Sequence, residues 1–360
     1  MHARSSFTTG RRPGLAAVRP VCVLAALLLL AASVATGPAL AVPPALDQSA
    51  LLGQVVPGLV DINTNLGYQG AIGTGTGIVL DPSGDVLTNN HVIEGATEIT
   101  AMSLANSHTY DADVIGYDRV NDIAVLRLRD ADGLPTAPLG SSSSVAVGDA
   151  IAAIGNSNGS ASAPSYAPGQ VTELRASVRA SDESGGTVRQ LDDLIRVAAD
   201  IRPGDSGGPL VNAVGQVIGV TVAATLTYGV DGVHGGEGFA IPIDRAVTIA
   251  NQIRAGQPTP TVHLGDTAFI GVAIADGPRL RGGVSGAVVR QVLPNTPAFA
   301  AGLMSGDTIT GVDSTSIRAA ADLSTALDLR RPGDTIIVTW IDRTGTVRSA
   351  PVELIKGPVG

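Results

Sequence analysis

A long series of short β-branched runs constrains the fold more than any other feature of this chain. The runs occupy residues 55 to 242, and Gly, Asn, Asp and Pro separate them. No helical pattern of similar regularity lies between them, which is typical of an all-β sandwich or barrel rather than an alternating βαβ sheet. We therefore expect strands near residues 77–80, 86–88, 122–128, 150–154, 170–174, 216–222 and 238–241.

A helix and a linker are expected to end this β-rich region, and a second, smaller domain follows them. Apolar periodicity predicts a helix over 244–255, with Asp244 as N-cap and Gly256 as its end. The Pro-rich stretch 257–262 reads as a linker. The remainder, 263–358, predicts a mixed α+β domain, with strands at 269–273, 287–292, 308–312 and 335–341 and helices at 298–301 and 319–329.

The first 41 residues have the pattern of a cleavable secretory signal peptide. Four arginines without any acid precede an apolar run over 21–35, and Ala39 and Ala41 offer small residues for cleavage. The run is shorter than the roughly 20 residues that span a bilayer, although an uncleaved anchor stays an alternative. We expect export to the cell envelope or the medium, with 42–54 as an N-terminal segment and 55–256 as the first domain.

Charge and cysteine content exclude several classes of function. Without the four leader arginines the chain has 19 basic and 32 acidic residues, so it would repel nucleic acid. The one cysteine, Cys22, lies in the leader, which leaves no disulfide and no thiol nucleophile in the mature chain. No metal-binding motif appears, and the Gly-Thr run 73–77 lacks the Lys of a phosphate-binding loop. We expect no metal and no cofactor.

The stretch PGDSGGPL, residues 203–210, is the most informative in the chain. A serine hydroxyl becomes a nucleophile only when a base takes its proton and nearby donors stabilise the oxyanion. The tight glycine-flanked turn would expose Ser206 and direct the backbone N–H groups of Gly204 and Ser206 to one point. This turn therefore predicts a nucleophilic serine with an oxyanion hole.

Two further residues would complete a catalytic triad. His91 lies at the end of an apolar strand in LTNNHVI, and Asp122 leads into the apolar run IAVL. A buried carboxylate beside the imidazole would fix its tautomer. The other mature-chain histidines, His108, His234 and His263, have no such context, and we expect them in surface or loop positions.

The motifs TNNHVI, NDIAVL and GDSGGPLVN occur in that order and resemble the trypsin-like serine proteases of the HtrA/DegP type. The leader and the C-terminal unit look closest to secreted actinobacterial members of the PepA kind. The resemblance implies a chymotrypsin-like double β-barrel with the active site in its cleft. It also implies that His91 is the general base, Asp122 its orienting partner and Ser206 the nucleophile.

Two acids depart from that family pattern. Asp205 stands where many HtrA proteases have Asn, and we expect it to bind Arg202 or a backbone donor. Asp200 lies at the offset that floors the specificity pocket in trypsin-like enzymes. Either the pocket accepts basic side chains or Asp200 turns away into a loop, which we favour because an unpaired buried carboxylate is costly.

Substrate would pair as an added strand in two places. In the protease domain the expected partners are Val220, Thr221, Val222 and Ala223. The stretch AFIGV with its following region resembles an HtrA-type PDZ domain. That resemblance implies capture of peptide C-termini by the N–H groups of Ile270, Gly271 and Val272, with Leu323 and Leu327 lining the side-chain pocket. Either leucine could instead simply pack on the sheet.

The leading hypothesis is a secreted serine endopeptidase acting on polypeptide substrates. A competing one is a protease-fold chaperone or adaptor that binds unfolded chains with an inactive site, and a third is an esterase, which the chain's lack of a lipase-like motif disfavours. HtrA proteases commonly trimerise through N-terminal aromatic contacts. Residues 42–56 contain no aromatic side chain, so both a monomer and a homotrimer stay open.

Overall fold

The computed structural model describes residues 46–157, 159, 163–181, 188–222, 236–276 and 285–360. The predicted signal peptide, Cys22, His234 and Ala223 lie outside these residues. The described part has the helices α1 (Gln48–Val55), α2 (Asn90–Ile93), α3 (Ile243–Arg254), α4 (Pro297–Ala300) and α5 (Ala320–Asp328). No helix in it is both long and apolar enough to cross a membrane.

Strands dominate the described residues. They are β1 (Leu59–Leu66), β2 (Ala71–Val79), β3 (Asp85–Thr88), β4 (Glu98–Ser103), β5 (Thr109–Asp118), β6 (Ile123–Leu128), β7 (Ala150–Gly155), β8 (Ser165–Ser181), β9 (Val188–Ala198), β10 (Pro209–Asn212), β11 (Val217–Val222), β12 (Glu237–Pro242), β13 (Val262–Leu264), β14 (Ala268–Phe269), β15 (Val272–Asp276), β16 (Ala287–Val292), β17 (Thr308–Val312), β18 (Thr315–Ser316), β19 (Thr335–Ile341), β20 (Val347–Glu353) and β21 (Ile355–Lys356).

The first twelve strands form two antiparallel barrels. The first has the order β5-β4-β1-β2-β3-β6 and closes through β5 and β6, while the second closes in the order β10-β11-β12-β9-β8-β7. Closure leaves neither barrel with a long exposed edge. The expected chymotrypsin-like double barrel is confirmed.

The main hydrophobic core lies where the two barrels meet. Leu59 and Ile78 come from the first barrel, Ile154 and Val220 from the second, and all four are fully buried. The helix α3 covers this core with one apolar face, as its 3.6-residue periodicity predicts. Its N-cap is Pro242, not Asp244, which lies in the first turn and binds the loop at Ser143 instead.

The C-terminal α+β unit has its own core. Its sheet has the order β15-β16-β17-β19-β20, with β18 beside β17, and Trp340 and Leu323 are buried among its apolar side chains. The expected strand over 269–273 is interrupted, because Gly271 between β14 and β15 takes a φ of 89°. Only glycine adopts this region readily, so the backbone turns there rather than continuing as a strand.

Backbone hydrogen bonds attach this unit to the first barrel. The strand β13 pairs with β5, so Val262–Leu264, which spans the expected end of the linker and start of the second domain, extends the sheet of the first barrel. Near the C-terminus, the N–H of Val359 donates to Ala96 O at 2.9 Å, and the N–H of Gly95 donates to Val359 O at 2.6 Å. These pairings hold the C-terminal segment against Gly95 and Ala96, which follow α2 in the chain.

Side chains reinforce the attachment. The Arg119 guanidinium, just before the loop that ends at Asp122, makes an ion pair with Asp328 at the end of α5. His263 stacks on Tyr117 with ring centroids 4.8 Å apart, and its Nδ1 lies 3.0 Å from the Asp328 carbonyl oxygen. His263 is only 8% exposed, so the expected surface or loop position was wrong. The reason is that β13 pairs with β5 and thereby places His263 between the first barrel and the C-terminal unit.

Candidate active site

The short helix α2 carries His91 at the mouth of the first barrel. The strand β3 ends at Thr88, and Asn89 with its extended backbone turns the chain into α2. The Asn89 side-chain amide donates to the Asp122 carbonyl oxygen at 3.0 Å. This bond ties the segment that carries the imidazole to the segment that carries the carboxylate.

Asp122 directs both carboxylate oxygens at His91. Its Oδ1 accepts the backbone N–H of His91 at 2.9 Å, and its Oδ2 lies 2.7 Å from His91 Nδ1. Asp122 is 1% exposed and has a left-handed backbone with a φ of 54°, a conformation that Asp tolerates better than most residues. The buried carboxylate has therefore exchanged its water contacts for two directed hydrogen bonds.

The third member of the constellation is Ser206, which is 4% exposed. Its Oγ lies 2.9 Å from His91 Nε2. Because the Asp122 carboxylate can only accept, the proton of the neutral imidazole belongs on Nδ1, and Nε2 is left to accept the serine proton. The structure brings His91, Asp122 and Ser206 into the geometry of a serine nucleophile with its base.

Within the described ranges, the acid before the nucleophile accepts hydrogen bonds from neutral donors. Asp205, 1% exposed, accepts the backbone N–H of Arg202 at 3.0 Å and that of Ser157 at 3.1 Å, and the Ser165 hydroxyl also donates to it. The expectation of a backbone donor is confirmed. The Arg202 side chain binds Asp200 instead.

The backbone around Gly204 is anchored by Thr76. The Thr76 hydroxyl donates to Gly204 O at 2.8 Å, and the Thr76 N–H donates to Ser206 O at 2.8 Å. Gly204 has a φ of 96°, and a Cβ there would lie 2.8 Å from Asn156 O, so only glycine fits. The oxyanion-hole role of the Gly204 and Ser206 N–H groups stays a prediction.

Asp200 turns away from the nucleophile. Its side chain is 55% exposed and makes an ion pair with Arg202, whose donated hydrogen bonds lower the pKa of Asp200. The next residue, Ile201, packs partly buried on the second barrel, and a Cβ at Gly238 would lie 2.4 Å from its Cδ1. Of the two alternatives, the outward orientation is the one observed, so an acidic pocket floor at Asp200 is not supported.

The strand β11 offers less free edge than its sequence suggests. Val220 pairs with Pro209 on one side and Ile241 on the other. Thr221 also has both backbone groups engaged, since its N–H donates to Gly208 O at 2.8 Å and its C=O accepts from Gly207 at 3.0 Å.

This occupancy corrects the expected pairing of substrate with Val220 and Thr221, because neither has a free edge. Among the described residues Val222 pairs only with Phe239, so it stays a candidate. Ala223 cannot be placed.

In the C-terminal unit the loop Ile270–Gly271 joins β14 to β15. The Ile270 carbonyl accepts from Ala298 at 2.8 Å and the Gly271 carbonyl from Leu293 at 2.9 Å. In a trans peptide the N–H points opposite to the C=O, so the N–H groups of Gly271 and Val272 point away from these partners. The strand β15 is an edge of its sheet, which a peptide could extend.

The two predicted pocket leucines differ. Leu323 is 1% exposed and belongs to the core of the unit, whereas Leu327 is partly buried against that core. Core packing therefore accounts for Leu323. A role of Leu323 and Leu327 in lining a peptide pocket stays a prediction.

Comparison with known proteins supports both halves of this architecture. A family model for a trypsin-like peptidase domain matches residues 75–220, and a PDZ domain model matches 268–354. The serine protease PepD of Mycobacterium tuberculosis is 35% identical over 334 residues, which cover 89% of this chain and 68% of PepD. The chain belongs to the HtrA-type serine proteases.

Other matches are similar in kind. The putative serine protease HhoA of Synechocystis sp. is 37% identical over 261 residues, which cover 70% of this chain and 63% of HhoA. The chain thus spans less than two thirds of that relative. A solved structure of the HtrA-type protease AlgW with a tripeptide is 26% identical with a TM-score of 0.48, and the match covers 86% of this chain and 97% of AlgW.

The hydroxyl groups that support the nucleophile loop of this HtrA-type protease were not predicted from the sequence, where Thr221 was named only as a substrate-pairing residue. Thr76, Ser165 and Thr221 all bind the nucleophile loop through hydroxyl groups, and Thr76 and Thr221 are fully buried. A signal for Thr76 existed, since the glycines on either side of it permit another backbone to approach closely. No cluster of three metal-ligating side chains occurs in the described part of the chain.

Proposed function

We propose that this HtrA-type protein is a serine endopeptidase that hydrolyses polypeptides through an acyl-enzyme. The observation that carries the proposal is the continuous hydrogen-bonded series from Asp122 through both nitrogens of His91 to Ser206, with distances of 2.7 and 2.9 Å. The separations lie within the range for general-base activation of a hydroxyl. A chaperone needs no such alignment.

The steps follow from the geometry. Ser206 Oγ attacks the scissile carbonyl carbon while its proton passes to His91 Nε2, and the carbonyl oxygen becomes an oxyanion. The N–H groups of Gly204 and Ser206 stabilise that oxyanion. The imidazolium, paired with Asp122, returns the proton to the leaving amine as the C–N bond breaks. Water then attacks the acyl-enzyme with His91 again as base, which releases the new carboxyl terminus and restores Ser206.

The specificity pocket is proposed to accept small aliphatic side chains. Asp200 faces solvent with Arg202, and the apolar Ile201 lies against Gly238. A lysine or arginine side chain would find no described carboxylate at the expected offset and would be buried without a partner. Mapping the cleavage sites in casein tests this directly, because Asp200→Asn should leave the sites unchanged, whereas cleavage after basic residues that Asp200→Asn abolishes would contradict it.

The PDZ unit is proposed to capture peptide C-termini beside β15. The N–H groups of Ile270, Gly271 and Val272 would bind the carboxylate, and the peptide would extend the sheet at its free edge. Fluorescence anisotropy with labelled peptides measures this binding, and an amidated version of each peptide is the control. Equal affinity for acid and amide forms would contradict carboxylate capture.

Export by a signal peptide cleaved after Ala41 is also part of the proposal, as is placement among the secreted actinobacterial members. The composition of the leader supports it. N-terminal sequencing of the exported protein should begin at Val42, and an intact leader would indicate the anchored alternative. Light scattering of the purified protein decides between a monomer and a homotrimer.

The first experiment compares the protein with Ser206→Ala and a matched control, Ser305→Ala. Ser305 is exposed and bonds only to the Arg290 carbonyl among the described partners. Casein hydrolysis and labelling by a fluorophosphonate probe should both disappear in Ser206→Ala and persist in Ser305→Ala. An unlabelled, inactive wild-type protein, with or without peptides bound to the PDZ unit, would favour the chaperone or adaptor reading.

A further inference from the structure

Thr76, at the middle of β2, bonds to three different segments around the nucleophile. Its hydroxyl donates to Gly204 O at 2.8 Å and accepts from the Asn156 N–H at 3.0 Å. Its N–H donates to Ser206 O at 2.8 Å, and its C=O accepts from the Thr88 hydroxyl at 2.8 Å. Every polar group of this fully buried residue therefore has a partner.

We infer that Thr76 is the positioning residue that holds the oxyanion hole in its active shape, an inference that rests on the proposed endopeptidase function. The Gly204 carbonyl belongs to the peptide plane before Asp205, and the Ser206 carbonyl belongs to the plane after Ser206. Thr76 bonds to both planes. The plane between them carries the Ser206 N–H and is itself held through the Asp205 carbonyl, which accepts from the Thr221 hydroxyl and from the Gly208 N–H at 3.0 Å, so Thr76 and Thr221 set its direction together.

The neighbouring glycines explain why β2 comes so close. A Cβ at Gly75 would lie 2.6 Å from Val92 Cγ1 and 3.2 Å from Ser206 O. A Cβ at Gly207 would lie 2.2 Å from Thr76 O. Glycine at these positions lets the strand of the first barrel contact the loop of the second directly. The nucleophile loop is therefore held directly against the barrel that carries His91.

The side chain meets requirements that few residues share. The hydroxyl must donate and accept at once in a site without water access, which valine cannot do and serine can. Removing it leaves the Gly204 carbonyl with the longer bond from Asn156, at 3.3 Å. The plane next to the oxyanion hole then keeps this bond and the bond from the Asp205 N–H to Arg202 O at 3.0 Å, and loses its link to the first barrel. A small misplacement of catalytic donors costs on the order of 10²-fold in rate.

The chain offers a matched control on the neighbouring strand. Thr64 in β1 is 3% exposed, and its hydroxyl has no hydrogen-bond partner within the described ranges. Thr64→Val therefore makes the same chemical change in the same barrel without removing a bond. Thr76→Ser retains the hydroxyl and removes only a methyl group.

The experiment measures kcat and KM on a fluorogenic peptide taken from a mapped cleavage site, and the inhibition constant of the corresponding peptide aldehyde. The aldehyde forms a tetrahedral adduct whose oxygen occupies the oxyanion hole. Thr76→Val should lower kcat about 10²-fold with KM nearly unchanged, and should weaken aldehyde binding in parallel. Thr76→Ser and Thr64→Val should stay within about threefold of wild type.

Hydrogen exchange of the segment 203–208, followed by mass spectrometry in the Ser206→Ala background, provides a readout that needs no activity. Exchange should be faster with Thr76→Val and unchanged with Thr64→Val. If Thr76→Val does not fold, Thr76→Ser decides: retained kcat supports the inference, and a loss as large as that expected for valine overturns it.

Different results would overturn the endopeptidase function and the positioning role of Thr76. An inactive wild-type protein overturns the endopeptidase function, and hydrogen exchange alone then decides whether Thr76 holds the loop. An active wild-type protein whose Thr76→Val variant keeps its kcat, its aldehyde affinity and its exchange rate overturns the positioning role.

Discussion

Replacing Asp122 by Asn is the sharpest test of the proposed triad, because both carboxylate oxygens accept hydrogen bonds from His91. An amide has one oxygen and one NH₂ group, so it can satisfy only one of these donors. If the NH₂ faces the ring, Nδ1 must become the acceptor and Nε2 carries the proton. The base can then no longer take the proton of Ser206.

The alternative orientation leaves the buried His91 N–H facing another donor. An unsatisfied buried group costs about 1–3 kcal/mol. The tautomer change costs about 10⁴-fold in kcat, the loss known for this substitution in trypsin-like triads, which corresponds to about 5 kcal/mol of transition-state stabilisation. Since each orientation avoids one loss only by accepting the other, we expect the orientation with both hydrogen bonds made to dominate, so kcat should fall while stability stays close to that of the wild type.

The assay compares Asp122→Asn with Asp85→Asn by peptide hydrolysis and thermal unfolding. Asp85 is 2% exposed in the same barrel and binds Arg127 and Arg254, neither of which belongs to the triad. The control should lose stability and keep kcat within a few fold. If Asp122→Asn retained more than about a tenth of wild-type kcat, the tautomer role assigned to Asp122 would be refuted.

The remaining predictions concern the backbone and pH. Gly207→Ala should abolish hydrolysis and destabilise the fold by more than about 2 kcal/mol in thermal unfolding, since Gly207 has a φ of 82° and its Cβ would lie 2.2 Å from both Thr76 O and Thr88 Oγ1; Gly133→Ala, with a φ of 67° and open space, should cost only about 1 kcal/mol. Gly271→Ala should weaken tail-peptide binding at least about tenfold in anisotropy titrations, because its Cβ would lie 2.2 Å from a threonine side chain, whereas Gly302→Ala should bind normally. The pKa of Asp342 is lowered by hydrogen bonds from its own turn and an arginine. Its contribution to stability is therefore present above the unfolded pKa near 4 and is lost as pH falls through the folded value, so Asp342→Asn should lower the melting temperature at pH 7 and leave it unchanged in strong acid; a deficit that is the same at both pH values would contradict this.

The strands and the candidate triad were predictable because their information is local. The expected strands at 287–292, 308–312 and 335–341 coincide with β16, β17 and β19. Alternation of apolar residues over a few positions suffices for such predictions. The triad residues stand in three ordered motifs, and the structure brings them within hydrogen-bond reach.

What the sequence could not provide depends on contacts between distant segments. The strand β13 forms in a Pro-rich stretch with little strand character because β5 offers it a partner 144 residues earlier in the chain. The outward turn of Asp200 was the favoured alternative, but the sequence offered Arg202 as a partner of Asp205 and not of Asp200. Asp205 instead binds Ser157 and Ser165, more than 35 residues earlier in the chain. Thr76 looks like one threonine in a glycine-rich run until the nucleophile loop packs against it.

The strand β13 also has a consequence for how substrates would be cut. A PDZ domain on a free tether would let a captured peptide reach Ser206 from many distances, and fragments of many lengths would result. Here β13 and the pairing of Val359 with Gly95 and Ala96 fix the PDZ unit to the barrel that carries His91. The products would then have lengths that cluster around one value, which is set by the distance between the peptide site beside β15 and Ser206.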